Sequence, residues 1–396
     1  MMNYIFSDRI SGLQPSAVRE ILKFTADPAV ISFAAGNPAP EAFPVEDIQA
    51  LSAEILQQNP IAALQYSITE GYTPLREATA AFACRNEQNI HSGDQLMITS
   101  GGQQGIDLAT KVLCNEGDVV LCEDPSFIGA LNTFRSYNVR LVGVPMDEDG
   151  MNLAALEQAL KYNPKAKILY TIPSFQNPSG ITTSAEKRRE IYRLAMHYGV
   201  MILEDNPYGD LRFVGEPVPT IKSLDTEGIV IYLGSFSKIL SPGLRVGYAI
   251  APAAIISKMA VGKQCGDVHT NIWAQMLCER FLATRDMERH LERLRQLYRQ
   301  KSSLMLDEMA RHFAPSVRYT RPEGGLFIWA TLPAGVDMMA FCRHAIEQKV
   351  AVVPGTAFCA EEDAPSSSFR LNFSTPSDEK IVEGIQILGK LTHQLA

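Results

Sequence analysis

One short segment in the middle of the chain carries the residues best suited to chemistry. Lys238 lies among apolar neighbours, shortly after the apolar run Ile229–Gly234 (IVIYLG). A lysine buried in such surroundings loses hydration, so its pKa falls and its amine becomes a nucleophile. Ser235, Ser237 and Arg245 flank it and together could hold a dianionic phosphate through charge-assisted hydrogen bonds. The alternative is a simple surface charge, which most lysines are.

A glycine-rich segment follows the apolar run Gln95–Thr99 (QLMIT) and precedes a helical pattern. It consists of Ser100, Gly101, Gly102 and Gln103. Free backbone N–H groups at the start of a helix bind phosphate, and glycines let the ligand approach closely. A tight turn between a strand and a helix explains the same residues equally well. The glycine spacing excludes the G-x-G-x-x-G motif of dinucleotide-binding proteins.

Further strand ends carry residues that suit the ring of a ligand. Phe127 offers a flat aromatic face, although a core phenylalanine is the simpler interpretation. Asn177 lies in a turn-rich segment and can hydrogen-bond a ligand oxygen or close an Asx turn. Asp205 ends a buried strand, where a carboxylate needs a partner such as a protonated ring nitrogen. With Tyr208, the phosphate-binding residues and Lys238, they describe pyridoxal 5′-phosphate as the ligand.

These segments require strands that end at one edge of a sheet. Most of the short β-rich runs are continuously apolar, which is typical of strands buried on both faces of a parallel sheet. The runs are 95–99, 119–123, 140–145, 167–172, 200–204, 229–234 and 245–251, with helical patterns at 102–114, 153–161 and 184–198. They predict a doubly wound α/β domain with a mostly parallel seven-stranded sheet flanked by helices. Ligands bind outside the carboxyl ends of such strands.

Beyond residue 251 the pattern predicts a second, smaller α+β domain. Its predicted elements are a long helical region over about 270–313, strands at 326–331 and 369–373, and helices at 337–349 and 377–395. Near the start, Pro15 and an apolar face predict a short helix at 15–25. We expect residues 1–35 to form an arm that contributes to the small domain and covers the active site. The large cofactor-binding domain is expected at 36–280 and the small C-terminal domain at 281–396.

The composition limits the class of protein. The 396 residues are 46% apolar and 20% charged, a globular composition that excludes disorder, collagen and coiled coil. The net charge of −8 argues against a nucleic-acid partner. Seven cysteines without a C-x-x-C pair predict buried thiols in a reducing compartment and no metal site. Neither a signal peptide nor a membrane span is expected, so we predict a cytoplasmic protein.

Nine segments, in their order along the chain, resemble those of class I and II aminotransferases, which are fold type I pyridoxal-phosphate enzymes. Within that family the chain is similar to the 2-aminoadipate and kynurenine aminotransferases. Each segment alone is a weak signal, but their joint order is highly specific. The segments are AVREILKF, FAAGNPAP, LQYSITEGYTPLR, TSGGQQGIDL, QNPSG, EDNPYGDL, GSFSKILSPGLRVGY, EGGLFIWATLP and FRLNFS.

The resemblance implies a role for each residue around the cofactor. Lys238 would hold the cofactor covalently, and Asp205 would pair with the pyridine nitrogen. Asn177 and Tyr208 would bond the ring hydroxyl. Phe127 would stack on the ring, where relatives often have a tyrosine. The residues implied to surround the phosphate are Ser100, Gly101, Gly102, Gln103, Ser235, Ser237 and Arg245.

The resemblance also implies a substrate site and a second subunit. Arg370 matches the arginine that binds the substrate α-carboxylate, a task that suits its two-pronged guanidinium. Gly36 and Asn37 match the loop over the substrate. Arg19 matches a mobile arginine that pairs with an acidic substrate side chain, with a solvated helix charge as the alternative. Tyr66 matches a residue that reaches the neighbouring subunit's phosphate, which implies a homodimer with shared active sites.

The expected activity is ping-pong transamination, in which the amino group of an L-amino acid passes to a 2-oxo acid such as 2-oxoglutarate. Lys238 would act as the general base. The amino donor stays open among 2-aminoadipate, glutamate, aromatic and branched-chain amino acids. One alternative is β-elimination or decarboxylation with the same cofactor, and another is a non-catalytic effector-binding module. A third is acyl transfer through the S-x-x-K motif at 235–238, which lacks its S-D-N and K-T-G partners.

Overall fold

The computed structural model describes residues 4–11, 13, 27–362 and 364–394. The predicted helix at 15–25, which includes Arg19, lies outside these residues. The helices are α1 (Asp8–Ser11), α2 (Val45–Gln58), α3 (Pro60–Leu64), α4 (Thr73–Ala83), α5 (Gly102–Leu113), α6 (Ile128–Ser136), α7 (Leu153–Tyr162), α8 (Ala185–Tyr198), α9 (Ala253–Gln264), α10 (Ile272–Thr284), α11 (Met287–His312), α12 (Met338–Glu347) and α13 (Asp378–Gln394). The strands are β1 (Ile31–Ser32), β2 (Asp94–Thr99), β3 (Val119–Asp124), β4 (Arg140–Asp147), β5 (Gly150–Met151), β6 (Ala166–Thr171), β7 (Met201–Asp205), β8 (Val230–Ser235), β9 (Gly247–Pro252), β10 (Arg318–Tyr319), β11 (Phe327–Thr331), β12 (Val350–Ala351), β13 (Val353–Pro354) and β14 (Ser368–Asn372).

The central sheet has eight strands in the order β2-β9-β8-β7-β6-β3-β4-β5. Neighbours from β8 to β4 are parallel, whereas β9 lies antiparallel between β2 and β8. Seven of these strands correspond to the predicted runs, and the additional β5 is a two-residue strand that turns back on β4. The prediction of a mostly parallel sheet flanked by helices is confirmed.

Burial on both faces explains the continuous apolar runs. In β6, Leu169 packs into the core on one face, whereas Ile168 and Tyr170 pack into the core on the other. Both cores are covered by helices, so there is no polar face that would produce an alternating pattern. The carboxyl ends of β2, β3, β6, β7 and β8 therefore meet at one edge of the sheet.

A smaller antiparallel sheet has the order β10-β11-β14-β13. The start of the described chain packs beside it, because β1 pairs in parallel with β12 through Ile31 and Val350. Asn372 also donates its backbone N–H to the Phe33 carbonyl at 2.9 Å. These contacts fit an arm that joins the C-terminal region, although the proposed domain boundaries at residues 35 and 280 stay predictions.

The prediction of a long helical region over about 270–313 is wrong in one respect. The region is helical, but it consists of two helices, α10 and α11. The chain turns between them, and Asp286 caps α11 by accepting the backbone N–H of Arg289 at 3.0 Å. An aspartate at this position satisfies a backbone donor that a continuous helix would use internally. Within the described ranges, no helix has both the length and the apolar character that a membrane crossing requires.

One glycine sets how closely α5 approaches the sheet. A Cβ atom on Gly105 would lie 2.7 Å from Leu233 Cδ2 of β8. We expect Gly105→Val to lower the free energy of unfolding by about 1 to 3 kcal/mol, because the larger side chain must push the helix from the sheet. Guanidinium denaturation measures this change. Lys111→Val on the exposed face of α5 is the control, and an equal loss in both variants would contradict the packing argument.

Candidate active site

A cavity of about 350 Å³ lies at the carboxyl edge of the central sheet, between that sheet and the smaller one. Most residues singled out from the sequence line it. Those residues are Gly36, Asn37, Gly102, Gln103, Phe127, Asn177, Asp205, Tyr208, Ser235, Ser237, Lys238, Arg245 and Arg370. Three others, Ser100, Gly101 and Tyr66, lie outside this lining, and Arg19 is outside the described residues.

Lys238 follows β8 and extends into the cavity. Its Nζ donates to the Gly36 carbonyl oxygen at 2.7 Å, so the amine contacts the segment that crosses the cavity from the N-terminal side. The residue is half-buried. Burial, followed by the positive charges of Arg370 and Arg245, lowers the pKa of Lys238 to about 8. A neutral, nucleophilic amine is therefore accessible near neutral pH.

Asp205 ends β7 at the bottom of the cavity and is 5% exposed. Its Oδ2 accepts a hydrogen bond from the Tyr170 hydroxyl at 2.8 Å. Burial raises the pKa of Asp205 to about 6, and the hydrogen bond from Tyr170 opposes that rise. The group is therefore a carboxylate at neutral pH, and it faces a cavity in which a cation would complete its pairing.

Arg370 projects from β14 and joins three parts of the chain. Its Nη1 donates to Asn177 Oδ1 and its Nη2 to the Ala34 carbonyl, both at 2.8 Å. The guanidinium carbon lies 4.3 Å from the centre of the Phe327 ring. Burial lowers the pKa of Arg370 to about 10, which still leaves it charged at neutral pH.

The polar partners of Arg370 are neutral, and its Nε is buried without a hydrogen-bond partner among the described residues. Asn177 continues this network, because its Nδ2 lies 3.5 Å from the Tyr208 hydroxyl. A buried guanidinium with a free donor and no carboxylate partner is suited to an anionic ligand such as a carboxylate.

An anion cradle forms where α5 begins. The first N–H groups of a helix have no partners within it, and Gly102 and Gln103 present theirs at the cavity wall. Gly101 has a φ of +78°, and a Cβ atom there would lie 2.5 Å from Arg245 Nη2. The positive φ therefore favours glycine at this position, and a side chain there would displace the guanidinium. The hydroxyl groups of Ser235 and Ser237 complete the cradle.

Two side chains near the cradle are held by neighbouring elements. The Gln103 amide donates to the Gly129 carbonyl at 2.9 Å and to Thr133 Oγ1 at 2.6 Å, so its side chain is directed to α6. The Phe127 ring packs against Gly129, where a Cβ atom would lie 2.5 Å from Phe127 Cζ. Phe127 thus presents its ring to the cavity, as its predicted stacking role requires, whereas Gln103 offers its backbone.

The side chain of Ser100 does not fit its predicted role as a phosphate ligand. Its Oγ donates to Asp267 Oδ2 at 2.6 Å and lies 3.1 Å from Thr270 Oγ1, which directs it away from the cavity. Asp267 is in turn held by Lys263 at 2.9 Å. The physical reason for the difference is the ion pair between the buried Lys263 and the exposed Asp267, which the sequence pattern did not reveal. The Ser100 hydroxyl thus contacts Asp267 and Thr270 and does not line the cavity.

Tyr66 is 82% exposed and lies outside the lining of its own subunit's cavity. It contacts His269 edge to face, with 5.8 Å between the ring centres. This exposed position is compatible with the predicted contact to a neighbouring subunit, which stays a prediction.

Sequence reasoning missed two buried residues that hold the Asn177 loop. Glu123, 0% exposed at the end of β3, accepts from Thr171 Oγ1 at 2.6 Å and from the Ile172 N–H at 3.1 Å. It also accepts from Gln176 Nε2 at 3.1 Å, and Gln176 Oε1 accepts from the Ser179 hydroxyl at 2.6 Å. The signal was present, because a carboxylate within an otherwise apolar strand needs several donors.

The donor set fits a phosphorylated pyridine aldehyde. The cradle would hold a dianion, the Lys238 amine would meet an aldehyde, and the Asp205 carboxylate would face a protonated ring nitrogen. Arg370 remains available for a carboxylate of a second molecule. These features define the class of protein as an enzyme that binds pyridoxal phosphate and acts on amino acids.

Comparison with known proteins agrees with this class. The family model for aminotransferase class I and II matches residues 28–388. The chain is 42% identical to aromatic-amino-acid aminotransferase 1 of Thermococcus litoralis over 97% of this chain and 93% of the relative. It is 42% identical to a 2-aminoadipate transaminase of Thermus thermophilus over 96% of this chain and 94% of the relative. The crystal structure of Pyrococcus horikoshii kynurenine aminotransferase in complex with PMP superposes with a TM-score of 0.94 at 40% identity, covering 98% of this chain and 97% of that one.

The chain belongs to the class I and II aminotransferases. It is a fold type I aminotransferase with pyridoxal phosphate as its cofactor, and the resemblance deduced from the nine segments is confirmed.

The carboxyl of Glu123 provides a test of the network under Asn177. Burial raises its pKa to about 7, above the 4.5 of an ordinary glutamate, so its stabilising contribution is full below pH 4.5 and is lost as the pH rises through 7. An amide at this position carries no charge: its oxygen can accept from the Ile172 N–H and Gln176 Nε2, and its NH2 group can donate to Thr171 Oγ1. Between pH 4.5 and pH 8, we expect the free energy of unfolding of Glu123→Gln to rise relative to that of the wild type by about 3 kcal/mol.

Denaturant titrations at several pH values measure that difference. Glu157→Gln on the exposed face of α7 is the matched control for the substitution itself. Glu123→Leu leaves buried donors unpaired and should lose roughly 2 to 5 kcal/mol throughout the range. A pH-independent difference between Glu123→Gln and the wild type would contradict the shifted pKa.

Proposed function

We propose that this aminotransferase transfers the amino group of an L-α-amino acid to a 2-oxo acid such as 2-oxoglutarate by a ping-pong mechanism. The observation that carries the proposal is the presence in one cavity of the Lys238 amine, the Asp205 carboxylate and the Arg370 guanidinium. We assign catalytic roles to Lys238, Asp205 and Tyr208.

Each part of the cofactor has residues suited to hold it. The phosphate would be bound by the backbone N–H groups of Gly102 and Gln103 and by Ser235, Ser237 and Arg245, whereas the Gly101 N–H already donates to the Thr99 carbonyl at 2.8 Å. Asp205 would hold the ring nitrogen in its protonated form, Phe127 would cover the ring, and Asn177 and Tyr208 would bond the ring hydroxyl. When bound, pyridoxal phosphate supplies an aldehyde for the amine and an electron-accepting ring.

Lys238 is the residue suited to move a proton. Its lowered pKa leaves a substantial fraction of neutral Nζ near pH 8, and this atom can take the Cα proton of the substrate and return it on the cofactor side. Burial raises the pKa of Tyr208, so its hydroxyl stays protonated and is available to donate a hydrogen bond to the cofactor. Asp205 remains charged above about pH 6, and its negative charge favours the protonated ring.

Arg370 is suited to orient the substrate through its α-carboxylate. The segment with Gly36 and Asn37 lies over the same cavity and is tied to the small sheet, because the Asn37 carbonyl accepts from Ser374 Oγ at 2.7 Å. This segment would keep water from the reacting atoms while the carboxylate occupies the guanidinium.

The cavity wall supports an uncharged amino donor with an aromatic or branched-chain side chain. Among the described residues that line the cavity, the cations are Lys238, Arg245 and Arg370, and each has a partner in the scheme above. Ile128 and Phe327 provide apolar surface in the cavity lining, and Phe327 lies under the Arg370 guanidinium. Acidic donors such as 2-aminoadipate or glutamate would then depend on Arg19.

We also propose a homodimer in which Tyr66 completes the phosphate site of the neighbouring subunit. Tyr66 lies in an exposed apolar surface with Ile61 and Leu64, which are 75% and 77% exposed. Large apolar side chains grouped at the surface are typical of protein interfaces. A shared site explains why a tyrosine matching a phosphate ligand lies away from the cavity of its own chain.

The cysteines support a cytoplasmic location. All seven lie within the described residues, and each is a free thiol there. Burial raises the pKa of Cys114 to about 12, which is typical of structural rather than reactive cysteines. Unpaired thiols fit a reducing compartment.

The division into an arm at 1–35, a large domain at 36–280 and a small domain at 281–396 is part of the same proposal.

A donor panel tests the reaction and its specificity. We expect phenylalanine and leucine to discharge the visible absorbance of the bound cofactor in single turnover, and 2-oxoglutarate to restore it. Lys238→Ala should slow this step about a hundred- to ten-thousand-fold because it lacks the proton carrier, whereas exposed Lys167→Ala should not. Arg19→Ala should impair only acidic donors. Stoichiometric release of ammonia in place of amino transfer would favour the lyase alternative.

Subunit mixing tests the assignment of Tyr66. Inactive Lys238→Ala and weakened Tyr66→Phe proteins are unfolded together, refolded and separated by affinity tags. If Tyr66 serves its neighbour, each mixed dimer contains one site with both wild-type residues, so we expect about half of the wild-type activity. Activity no higher than that of Tyr66→Phe would place Tyr66 in its own subunit's site, and a monomer by sedimentation would remove the shared site.

A further inference from the structure

Tyr170 is a buried tyrosine near the end of β6, one strand away from Asp205. It is 0% exposed, does not line the cavity, and packs edge to face on Phe134 with 5.5 Å between ring centres. Its hydroxyl donates to Asp205 Oδ2 at 2.8 Å. Burial and the neighbouring carboxylate raise the pKa of Tyr170 far above its ordinary value, so the phenol remains a hydrogen-bond donor at every pH at which the protein works.

This contact distinguishes the two oxygens of Asp205. Oδ2 faces β6 and is occupied by the phenol. Oδ1 lies on the side of α5, where a Cβ atom on the cavity residue Gly102 would be 3.7 Å away. Among the described residues, Tyr170 is the side chain that donates a hydrogen bond to this carboxylate. The phenol therefore holds the carboxylate in one rotation about its terminal bond.

The charged and titratable groups around Asp205 differ in sign. Glu123 on β3 adds a second buried carboxyl, and Tyr208 adds a phenol from the loop after β7. Lys238 enters the cavity after β8, whereas the first turn of α5 contains no acidic residue. Burial raises the pKa of Asp205 and the phenol of Tyr170 opposes this rise. Loss of the phenol would therefore raise the pKa of Asp205, so that the carboxyl would stay protonated up to a higher pH.

We propose that Tyr170 is a positioning residue for Asp205. The Tyr170 hydroxyl donates to Oδ2 of Asp205 and so turns Oδ1 to the cavity. The same hydrogen bond favours the charged carboxylate that a protonated ring nitrogen needs. The inference rests on the proposed role of Asp205 at that nitrogen. A merely structural tyrosine would stabilise the core without altering the charge of Asp205, so the two interpretations differ in their pH dependence.

Tyr170→Phe tests the proposal, because it keeps the buried ring and removes only the hydroxyl. Apoprotein is titrated with pyridoxal phosphate between pH 5 and pH 9, and the visible absorbance of the bound cofactor gives its dissociation constant. We expect the pH below which binding weakens to rise by about one unit, with about five-fold weaker binding at the wild-type midpoint and about ten-fold weaker binding well below it. The pH profile of kcat/KM should shift in the same direction.

Tyr298→Phe is the matched control. Tyr298 is also 0% exposed, and its hydroxyl accepts from the Ala39 N–H at 3.3 Å, away from Asp205. This variant should lose thermal stability without any shift of the pH midpoint. Site-specific replacement of Tyr170 by 3-fluorotyrosine keeps the ring and strengthens the donor, so it should move the midpoint to lower pH even if Tyr170→Phe folds poorly.

Asp205→Asn distinguishes a failure of this inference from a failure of the proposed function. If Asp205→Asn abolishes the pH dependence of cofactor binding but both Tyr170 variants keep the wild-type midpoint, Tyr170 is structural and this inference is wrong, while the proposed function stands. If Asp205→Asn binds the cofactor as the wild type does, the role of Asp205 is wrong and the inference falls with it. Opposite shifts in the two Tyr170 variants support the proposal.

Discussion

A single buried guanidinium holds the site together. Arg370 from the small sheet donates to Asn177 from the central sheet and to the Ala34 carbonyl of the N-terminal segment. Removing a charge from water is costly unless it is hydrogen-bonded, so this arginine is stable only when all three parts of the chain are in place. The cavity is therefore present only when the two sheets have docked. The same charge lowers the pKa of Lys238, which links the substrate position to the reactivity of the lysine.

Buried carboxylates lie at the ends of the strands around the cavity. Glu204 and Asp205 are consecutive on β7 and point to opposite faces of the sheet, as the period of a strand requires. Glu204 accepts the backbone N–H groups of Ile221 and Lys222 at 2.9 and 2.7 Å, whereas Asp205 faces the cavity. Glu123 on the neighbouring β3 fixes the Asn177 loop. Side chains outside the cavity thus determine the orientation of those within it.

Much of the fold could be predicted because its strands are buried on both faces. Nine of the fourteen described strands correspond to predicted runs and begin and end within about two residues of them, since an apolar run ends where the chain reaches the polar edge. The two-residue strands β1, β5, β10, β12 and β13 were not predicted, because so short a segment carries no recognisable pattern. The direction of β9 could not be predicted, because an antiparallel strand in the middle of this sheet is just as apolar as its parallel neighbours. The break between α10 and α11 at Asp286 was also missed, although an aspartate at a helix start is a recognisable signal.

The sequence by itself determined the chemistry: a lysine and an aspartate at buried strand ends, a glycine loop before a helix, and an ordered set of motifs that indicates the family. Only the tertiary structure decided which atoms serve the cavity. It turned the Ser100 hydroxyl to Asp267, directed the Gln103 amide to α6 and brought Tyr170 to Asp205. The physical reason is that residue type and strand position follow from local pattern, whereas a hydrogen-bond partner depends on residues that are distant along the chain.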